Sequence, residues 1–405
     1  MDRSDMPAIS SPVAVVGGGA AGLTSALALA RAGFDIALIA PSAPASSGRT
    51  VALFDGSARM LRALGLWQRI EPRAAPLERL TLIDDTGSLF APPPATFAAS
   101  EIGLDAFGWN IDLGDLQDAL DAAVADEPRI SRFHCAATGF ESGADGARVT
   151  LSDGRVIATP LVIAADGGRS RLREAAGIAV REWSYPQTAL TLVVRHSRDH
   201  RNISTEFHTR EGPFTFVPLP GRRSSIVWVM RPDRAEELRA ASDEELSALI
   251  EKRSHSFLGA IEAEGPRGFV PLRSVSARAL TAPSLMLVGE AAHVFPPIGA
   301  QGLNLGLRDA ATLADILSDA RAAGSPLNHE RVRRRYEQAR RADVGLRAFS
   351  VDLLNRTLLS AFLPNDFLRG AGLLALESIG PLRRFVMRAG VAPPGSTPRL
   401  MRAEG

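Results

Sequence analysis

A chain of 405 residues with 45% hydrophobic and 22% charged residues is too long for one core and too apolar to be disordered, so two packed units and a tail are expected. A net charge of +1, with acids and bases mixed along the chain, leaves no basic stripe for nucleic acid and no acidic tail for a basic partner. The single cysteine, Cys135, excludes an intramolecular disulfide, a redox pair and a cysteine-held metal, and fits a small apolar filler in a reducing compartment.

Met1–Ser11 is polar and mixed in charge, and the first apolar run, Val13–Val16, enters glycines with no small-residue cleavage site. It is expected as a strand and not as a secretory signal. With no run of about 18 apolar residues, no membrane-spanning helix is expected. Strand, glycine turn, helix and strand follow over Val13–Val16, Gly17–Gly22, Leu23–Ala32 and Ile36–Ala40, the opening βαβ of a dinucleotide-binding fold. A helix is predicted over Gly56–Leu64 and a hairpin over Thr81–Leu89 around Asp85-Thr86-Gly87, followed by a proline loop at Ala91–Pro94. Gly114–Val124 reads as helix, Arg148–Leu151 and Arg155–Ala158 as a second hairpin, and Leu161–Ala164 as a buried strand. Strands of a second sheet are predicted at Ala189–Arg195, Ser204–His208, Thr215–Pro218 and Ser225–Met230. One helix, with Ser242 and Glu245 as a capping box, is expected over Asp233–Arg253. Arg273–Ala279 leads back as a strand, Leu285–Val288 is another, Leu303–Ala320 is a helix, and the tail from Glu330 is helical and increasingly apolar.

Three segments carry chemistry. In Gly17-Gly18-Gly19-Ala20-Ala21-Gly22, Gly17 permits a tight turn, Gly19 lets backbone approach a pyrophosphate, and Gly22 lets the helix sit close to the strand. The helix start then offers unpaired N–H groups to phosphate. The acid expected at the end of the second strand is replaced by Ala40, with Ser42 as a weak substitute. The second segment, Asp166-Gly167-Gly168-Arg169-Ser170, follows a strand and reads equally as a surface turn. In the third, a strand ends at Gly289-Glu290, Pro296 and Pro297 stiffen a loop through Gly299, and a helix starts near Gln301-Gly302-Leu303-Asn304. Its positive end suits an electron-rich reduced flavin.

In this order and spacing the three segments resemble the class A flavoprotein monooxygenases, whose prototype is para-hydroxybenzoate hydroxylase. Glu290 stands where that class has Asp. Within the class the chain is most similar to the bacterial hydroxylases of ubiquinone biosynthesis, on Gly48-Arg49-Thr50-Val51-Ala52-Leu53, Trp109-Asn110-Ile111, Glu206-Phe207, Gly212-Pro213-Phe214, Pro218-Leu219, Val227-Trp228 and the run Pro296–Asp309. The resemblance covers Pro12 to Ala392. It implies an α/β fold: a Rossmann-like FAD-binding domain (11–78, 105–180 and 273–325), an inserted mixed β-sheet substrate domain (79–104 and 181–272) and a C-terminal helical tail (326–405).

The resemblance also implies FAD as cofactor and NAD(P)H as a transient co-substrate, since only one dinucleotide motif is present. Oxygen would pass from a flavin C4a-hydroperoxide to the ring of an aromatic, polyprenylated phenol. Cofactor contacts are expected from Gly17, Gly19, Ala20, Ala21, Gly22, Arg49, Asp166, Gly289, Glu290, Pro297, Gly299, Gln301, Gly302, Leu303 and Asn304. Gly114 stands where the family commonly has a cofactor-binding Arg, and Gln117 is the stand-in. No general base and no metal site is assigned. His293 reads as structural, and His196, His200 and His208 as strand histidines. Phe214, Phe216 and Trp228 suit either pocket wall or core, with core preferred. The tail helices Leu346–Leu354 and Leu358–Phe367 suit packing on the FAD domain or, for a polyprenylated substrate, contact with a membrane or a biosynthetic complex. The protein is expected in the cytoplasm, with the inner-membrane surface as the alternative. A soluble aromatic hydroxylase of another pathway and a low-turnover FAD-holding accessory protein are the competing functions.

Overall fold

The computed structural model of the chain describes residues 8–41, 48–87, 93–143, 146–297, 299–359, 380–391 and 397–403, with backbone alone for 346–359. Parallel strands β2 (Val13–Val16), β3 (Ile36–Ile39), β9 (Ile130–Phe133), β13 (Val162–Ala164) and β20 (Leu285–Leu287), with antiparallel β19 (Thr281–Ala282) at the edge, form one sheet in the order β19-β20-β13-β2-β3-β9. Every residue of Val13–Val16, Ile36–Ile39, Val162–Ala164 and Leu285–Leu287 is buried. Unbroken apolar runs are what parallel strands covered on both faces demand. Helices α1 (Ala20–Arg31) and α8 (Gln301–Ala322) pack on this sheet and on each other. α9 (Glu330–Leu359) packs on α8.

Two small sheets flank this layer. One comprises β1 (Ile9–Ser10), β10 (Ala137–Gly143), β11 (Gly146–Leu151) and β12 (Val156–Thr159), with the expected turn at Ser152–Gly154. The other comprises β4 (Thr50–Phe54), β5 (Ala75–Pro76) and β8 (Gly108–Asp112), followed by α4 (Leu113–Asp126). Between β4 and β5 lie α2 (Asp55–Ala63) and α3 (Trp67–Ile70), and α5 (Arg171–Ala175) follows β13.

The second large sheet has eight strands: β6 (Arg79–Asp84), β7 (Ala95–Ala98), β14 (Val180–His196), β15 (Ile203–His208), β16 (Pro213–Leu219), β17 (Arg223–Met230), β18 (Ile261–Ala277) and β21 (His293–Val294). Their order is β21-β18-β14-β17-β16-β15-β6-β7. Helices α6 (Pro232–Ala240) and α7 (Asp243–Arg253) cover one face, burying Phe207, Phe214, Phe216, Ile226 and Trp228.

Three expectations need correction. The strands expected at Ala189–Arg195 and Arg273–Ala279 are parts of two 17-residue strands, β14 and β18, paired from Val180 opposite Ala277 to His196 opposite Ile261. The pattern hid this length because shifts in register at Ser184/Thr188 and Thr191/Val193 break the alternation. The helix over Asp233–Arg253 is two helices: Ala241 is extended, and the Ser242 hydroxyl accepts from the Glu245 N–H at 3.1 Å while the Glu245 carboxylate accepts from the Ser242 N–H at 2.8 Å. A capping box marks a helix start, and here it overrides the continuous periodicity. The hairpin is wider than expected: β6 ends at Asp84 and its antiparallel partner is β7, with Leu82 opposite Ala95, while its other edge runs parallel to β15. The Asp84 carboxylate instead accepts from the N–H and hydroxyl of Thr86, a local Asx turn. Residues 88–92 lie outside the described residues.

α10 (Gly380–Val391) seats Met387 against Phe97, Leu82, Ile102 and Phe107 at the β6–β7 edge. Of the tail helices expected from sequence, Leu346–Leu354 falls within α9, where side chains are not described. Most of Leu358–Phe367 lies outside the described residues.

Candidate functional site

The three chemical segments converge because β2, β13 and β20 are neighbours in register, with Val16 opposite Ala164 and Ala164 opposite Leu287. Each segment therefore leaves the carboxyl end of its strand at the same level, the place where open α/β sheets bind ligands. Gly17 has φ +131°, and a Cβ there would stand 2.1 Å from the Ala165 carbonyl oxygen. A Cβ on Gly22 would stand 2.1 Å from the Gly17 oxygen, whereas one on Gly19, the residue capping α1, meets nothing within 4 Å. Two glycines close the turn and the third leaves open space at the helix start. First and third segments touch through small residues: a Cβ on Gly289 would lie 3.0 Å from the Ala21 Cβ, and one on Gly306 of α8 would lie 3.2 Å from the Gly289 Cα.

Of the remaining expected residues, Gln117 and Glu290 touch these segments directly. Gln117 on α4 donates to the Gly18 carbonyl at 2.7 Å and to Asp121 at 2.9 Å, bracing the glycine loop. Arg49 is exposed just before β4, and its carbonyl accepts from Leu113 N at 2.8 Å. Asp166 accepts from Leu172 N at 3.2 Å through one oxygen; its other oxygen is buried without a partner among the described residues. Glu290 is exposed, and its Oε2 lies 3.8 Å from where a Gly168 Cβ would be. Pro297, Gly299, Gln301, Gly302 and Leu303 form the approach to α8 and its first turn. Ala300 caps that helix at φ 52°, a left-handed conformation that costs a non-glycine residue roughly 1–3 kcal/mol. The Asn304 side chain accepts from Phe54 N and Ser57 Oγ and donates to the Ala52 and Ala300 carbonyls, all at 2.7–2.8 Å. Asn304 thus anchors the α8 start to β4 and α2, leaving its backbone for a ligand. Ala40 is buried, and its Cβ lies 2.9 Å from a Cβ position on Gly18, so it supports the glycine loop from below. Ser42 lies outside the described residues.

A buried charge network backs the third segment. Asp309 on α8 accepts from Gly289 N at 2.9 Å and pairs with His293 at 2.8 Å and Arg340 of α9 at 2.5 Å. Arg340 also reaches Asp343 at 2.5 Å. Burial pushes the Asp309 carboxyl up, but the charges of His293 and Arg340 outweigh it and hold the group below its ordinary range. The Tyr336 hydroxyl donates to the Leu287 carbonyl at 2.8 Å, and burial pushes that phenol well up. Arg173 donates to the carbonyls of Ala291 and Gly168 at 2.9 and 3.1 Å, joining second and third segments. Neither Arg173 nor Arg340 was singled out from sequence, because their partners lie 118 and 31 residues away. His293, read from sequence as structural, is buried and pairs with Asp309.

β21 links this centre to the eight-stranded sheet, pairing His293 and Val294 with Ser276 and Val275. The sheet face turned away from α6 and α7 meets the β8 segment: Asn110 donates to the Pro218 carbonyl at 2.9 Å and to Ser225 Oγ at 3.0 Å. On this face Glu206 accepts from His208 Nε2 at 2.8 Å and from the Thr215 hydroxyl at 3.1 Å. Burial raises the Glu206 carboxyl, but the His208 and Thr215 bonds and the His208 charge bring it below the usual range. Phe214, Phe216 and Trp228 point to the opposite face and are core. His196 and His200 are fully engaged locally, with Arg198 O and Ser224 and with Leu219 O and Asn202 N. Two cavities of about 240 and 360 Å³ lie beside α8 against the C-terminal turn Arg399–Met401 and contain no residue of the glycine loops. The motif geometry, not cavity size, marks the site.

A flavin dinucleotide fits these residues: free space at the Gly19 cap of α1, a buried Asp166 oxygen with no partner among the described residues, and a left-handed Ala300 at the start of α8. The FAD binding domain family matches residues 10–342. "Ubiquinone hydroxylase UbiL" of Rhodospirillum rubrum is 35% identical, the match covering 96% of this chain and 92% of that one. "3-demethoxyubiquinol 3-hydroxylase" of Escherichia coli is 32% identical over 93% of this chain and 97% of that one. The p-nitrophenol 4-monooxygenase PnpA of Pseudomonas putida shares the fold, with a TM-score of 0.77 at 19% identity over 94% and 97% of the two chains. Klebsiella pneumoniae HpxO with FAD and uric acid does so as well, with a TM-score of 0.75 at 19% identity over 94% and 97%. The chain belongs to the FAD binding domain family and is an FAD-dependent monooxygenase within it.

Proposed function

We propose that this enzyme hydroxylates the ring of a polyprenylated phenol on the route to ubiquinone, with NAD(P)H as electron donor and O2 as oxidant. One observation carries the reading: three cofactor segments meet at the ends of β2, β13 and β20, next to the strand β21 that joins them to the eight-stranded sheet. The names of the Rhodospirillum and Escherichia relatives supply the substrate class. Bound FAD would supply the redox chemistry: two electrons from NAD(P)H, with one oxygen atom of O2 going to the ring and the other leaving as water.

The chain's own residues bind and orient. Gly17, Gly19, Ala20, Ala21 and Gly22 present backbone to the pyrophosphate at the positive end of α1. Gln117 braces that loop, and Arg49 would reach the cofactor from just before β4. Asp166, Gly289 and Glu290 offer oxygens and backbone to the sugar-like chain. Pro297, Gly299, Gln301, Gly302, Leu303 and Asn304 would hold the ring, and the α8 dipole would favour its electron-rich reduced form. NAD(P)H visits without a Rossmann domain of its own. Residues 11–78, 105–180 and 273–325 would then form the FAD-binding domain, 79–104 and 181–272 the substrate domain, and 326–405 the tail.

Contact with a membrane surface is part of the proposal. Leu382, Phe385 and Val386 are exposed at helical spacing on α10, beside Arg384 and Arg388. No helix among the described residues is long and apolar enough to cross a membrane; the proposed contact is a peripheral one through the exposed apolar side of α10. The test is the absorption spectrum of the purified protein, then NAD(P)H in air with and without a short-chain polyprenyl phenol. Flavin bands bleached faster with the phenol support the proposal. NAD(P)H oxidation that no phenol accelerates overturns it.

A further inference from the structure

We propose that Glu206 is the substrate-orienting acceptor of this enzyme: its carboxylate takes the hydrogen bond of the ring hydroxyl and so decides which ring carbon is presented. The inference rests on the phenolic substrate class proposed above.

Glu206 sits in a row that crosses five strands. The pairings put Leu82 of β6 opposite Glu206, Glu206 opposite Thr215, Thr215 opposite Val227 and Val227 opposite Thr191. Alternation places this row on the face away from α6 and α7. All five residues are partly exposed, whereas their chain neighbours Phe207, Phe214, Phe216, Trp228, Leu190 and Leu192 are buried. One face of the sheet is sealed and the other is open along this line. Asn110 ties that open face to β8 through Ser225, so it looks toward the half of the molecule that carries the three cofactor segments.

Within the row Glu206 is the only ionisable group. Its two oxygens accept one bond each, from His208 and from Thr215. A carboxylate has room for about four, so each oxygen keeps capacity for another donor. Its side chain is 18% exposed. The two bonds fix its position, which an orienting group requires. On one side the row runs into the apolar cluster of Leu82, Phe97 and Met387. One fixed acceptor beside an apolar wall suits a molecule with a hydroxylated ring and a hydrocarbon tail. A bond from a hydroxyl to a charged acceptor is about twice as strong as one to a neutral acceptor.

The test compares a short-chain polyprenyl phenol with the same prenylbenzene lacking the hydroxyl, titrated into the FAD-loaded enzyme and followed by the flavin spectrum. The wild type is expected to prefer the phenol, and Glu206→Gln to lose about tenfold of that preference, with the hydroxyl-free compound bound as before and FAD content unchanged. The ring position of the product should scatter in the variant. If Glu206→Gln does not fold, Glu206→Asp withdraws the acceptor by one methylene and should show the same loss. A preference unchanged in whichever variant folds overturns the role of Glu206 and leaves the substrate class standing. A wild type whose NAD(P)H oxidation no phenol accelerates overturns both.

Discussion

A methyl group added at Gly17 would need to pass through the Ala165 carbonyl, 2.1 Å from its Cβ position. Gly17→Ala should therefore yield protein that no longer retains FAD on gel filtration, while Gly19→Ala, with nothing within 4 Å, should fold with normal stability and lose only cofactor affinity. Equal stability of the two variants in urea would contradict this division of roles. Asp309 offers a second case. Arg340→Met leaves its buried carboxylate with only His293 and the Gly289 N–H, and removing one charged partner of such a pair costs roughly 3–5 kcal/mol. Urea denaturation should show that loss, whereas Arg155→Ala at the exposed Asp153 pair should unfold at nearly the wild-type midpoint. The glycine roles were readable in sequence because steric need is local. The Asp309–Arg340 pair was not, because a buried charge reveals its partner only when helices dock. Glu206-Phe207 entered as a family cue and His208 as an ordinary strand histidine. Only register shows that Glu206 and His208 are bonded on the open face.

Among elements, α7 tests how literally a local signal should be taken. Its capping box outranked the apolar spacing that suggested one helix through Ala241. Ser242→Ala should cost about 1 kcal/mol in unfolding experiments and leave flavin content intact. α10 is held differently. Arg383 bonds to Glu101 and lies over the Phe97 ring. The hydrogen bond from Arg383 is the main reason the Glu101 carboxyl falls from 4.5 to about 2. A depressed carboxyl stabilises the fold above pH 4.5 and loses that contribution as pH falls toward 2. Pepsin cleavage within 380–391 should accordingly increase over that window, and Arg383→Ala should show the increase already at pH 4.5. Cleavage indifferent to both changes would mean that Met387 and Phe97 hold the helix unaided. Strands buried on both faces announced themselves as apolar runs. β14 and β18 did not, since bulges shift their alternation partway and hide their continuity.

Across the whole molecule the chain runs from β20 of one large sheet into β21, which pairs with β18 of the other, so unfolding should be one transition. Cofactor that binds only the folded state at a hundred times its Kd adds about 2.7 kcal/mol. Added FAD should therefore raise the midpoint of that single transition by roughly 2–5 °C; two separate transitions, one of them deaf to FAD, would refute the coupling. The fold class was legible as a whole because three short segments at the right spacing leave few topologies, while the joint between the layers was not, since two residues of strand carry it. That joint has a consequence for descent. The chain leaves β18 at Ala277 and returns as His293 opposite Ser276, passing Gly289 on the way. Gaining or losing one residue in between would turn His293 to the other face and away from Asp309. The turn at Gly221 between β16 and β17 can lengthen freely over generations. The stretch from 278 to 292 is a ruler, and lineages that keep the flavin should keep its count.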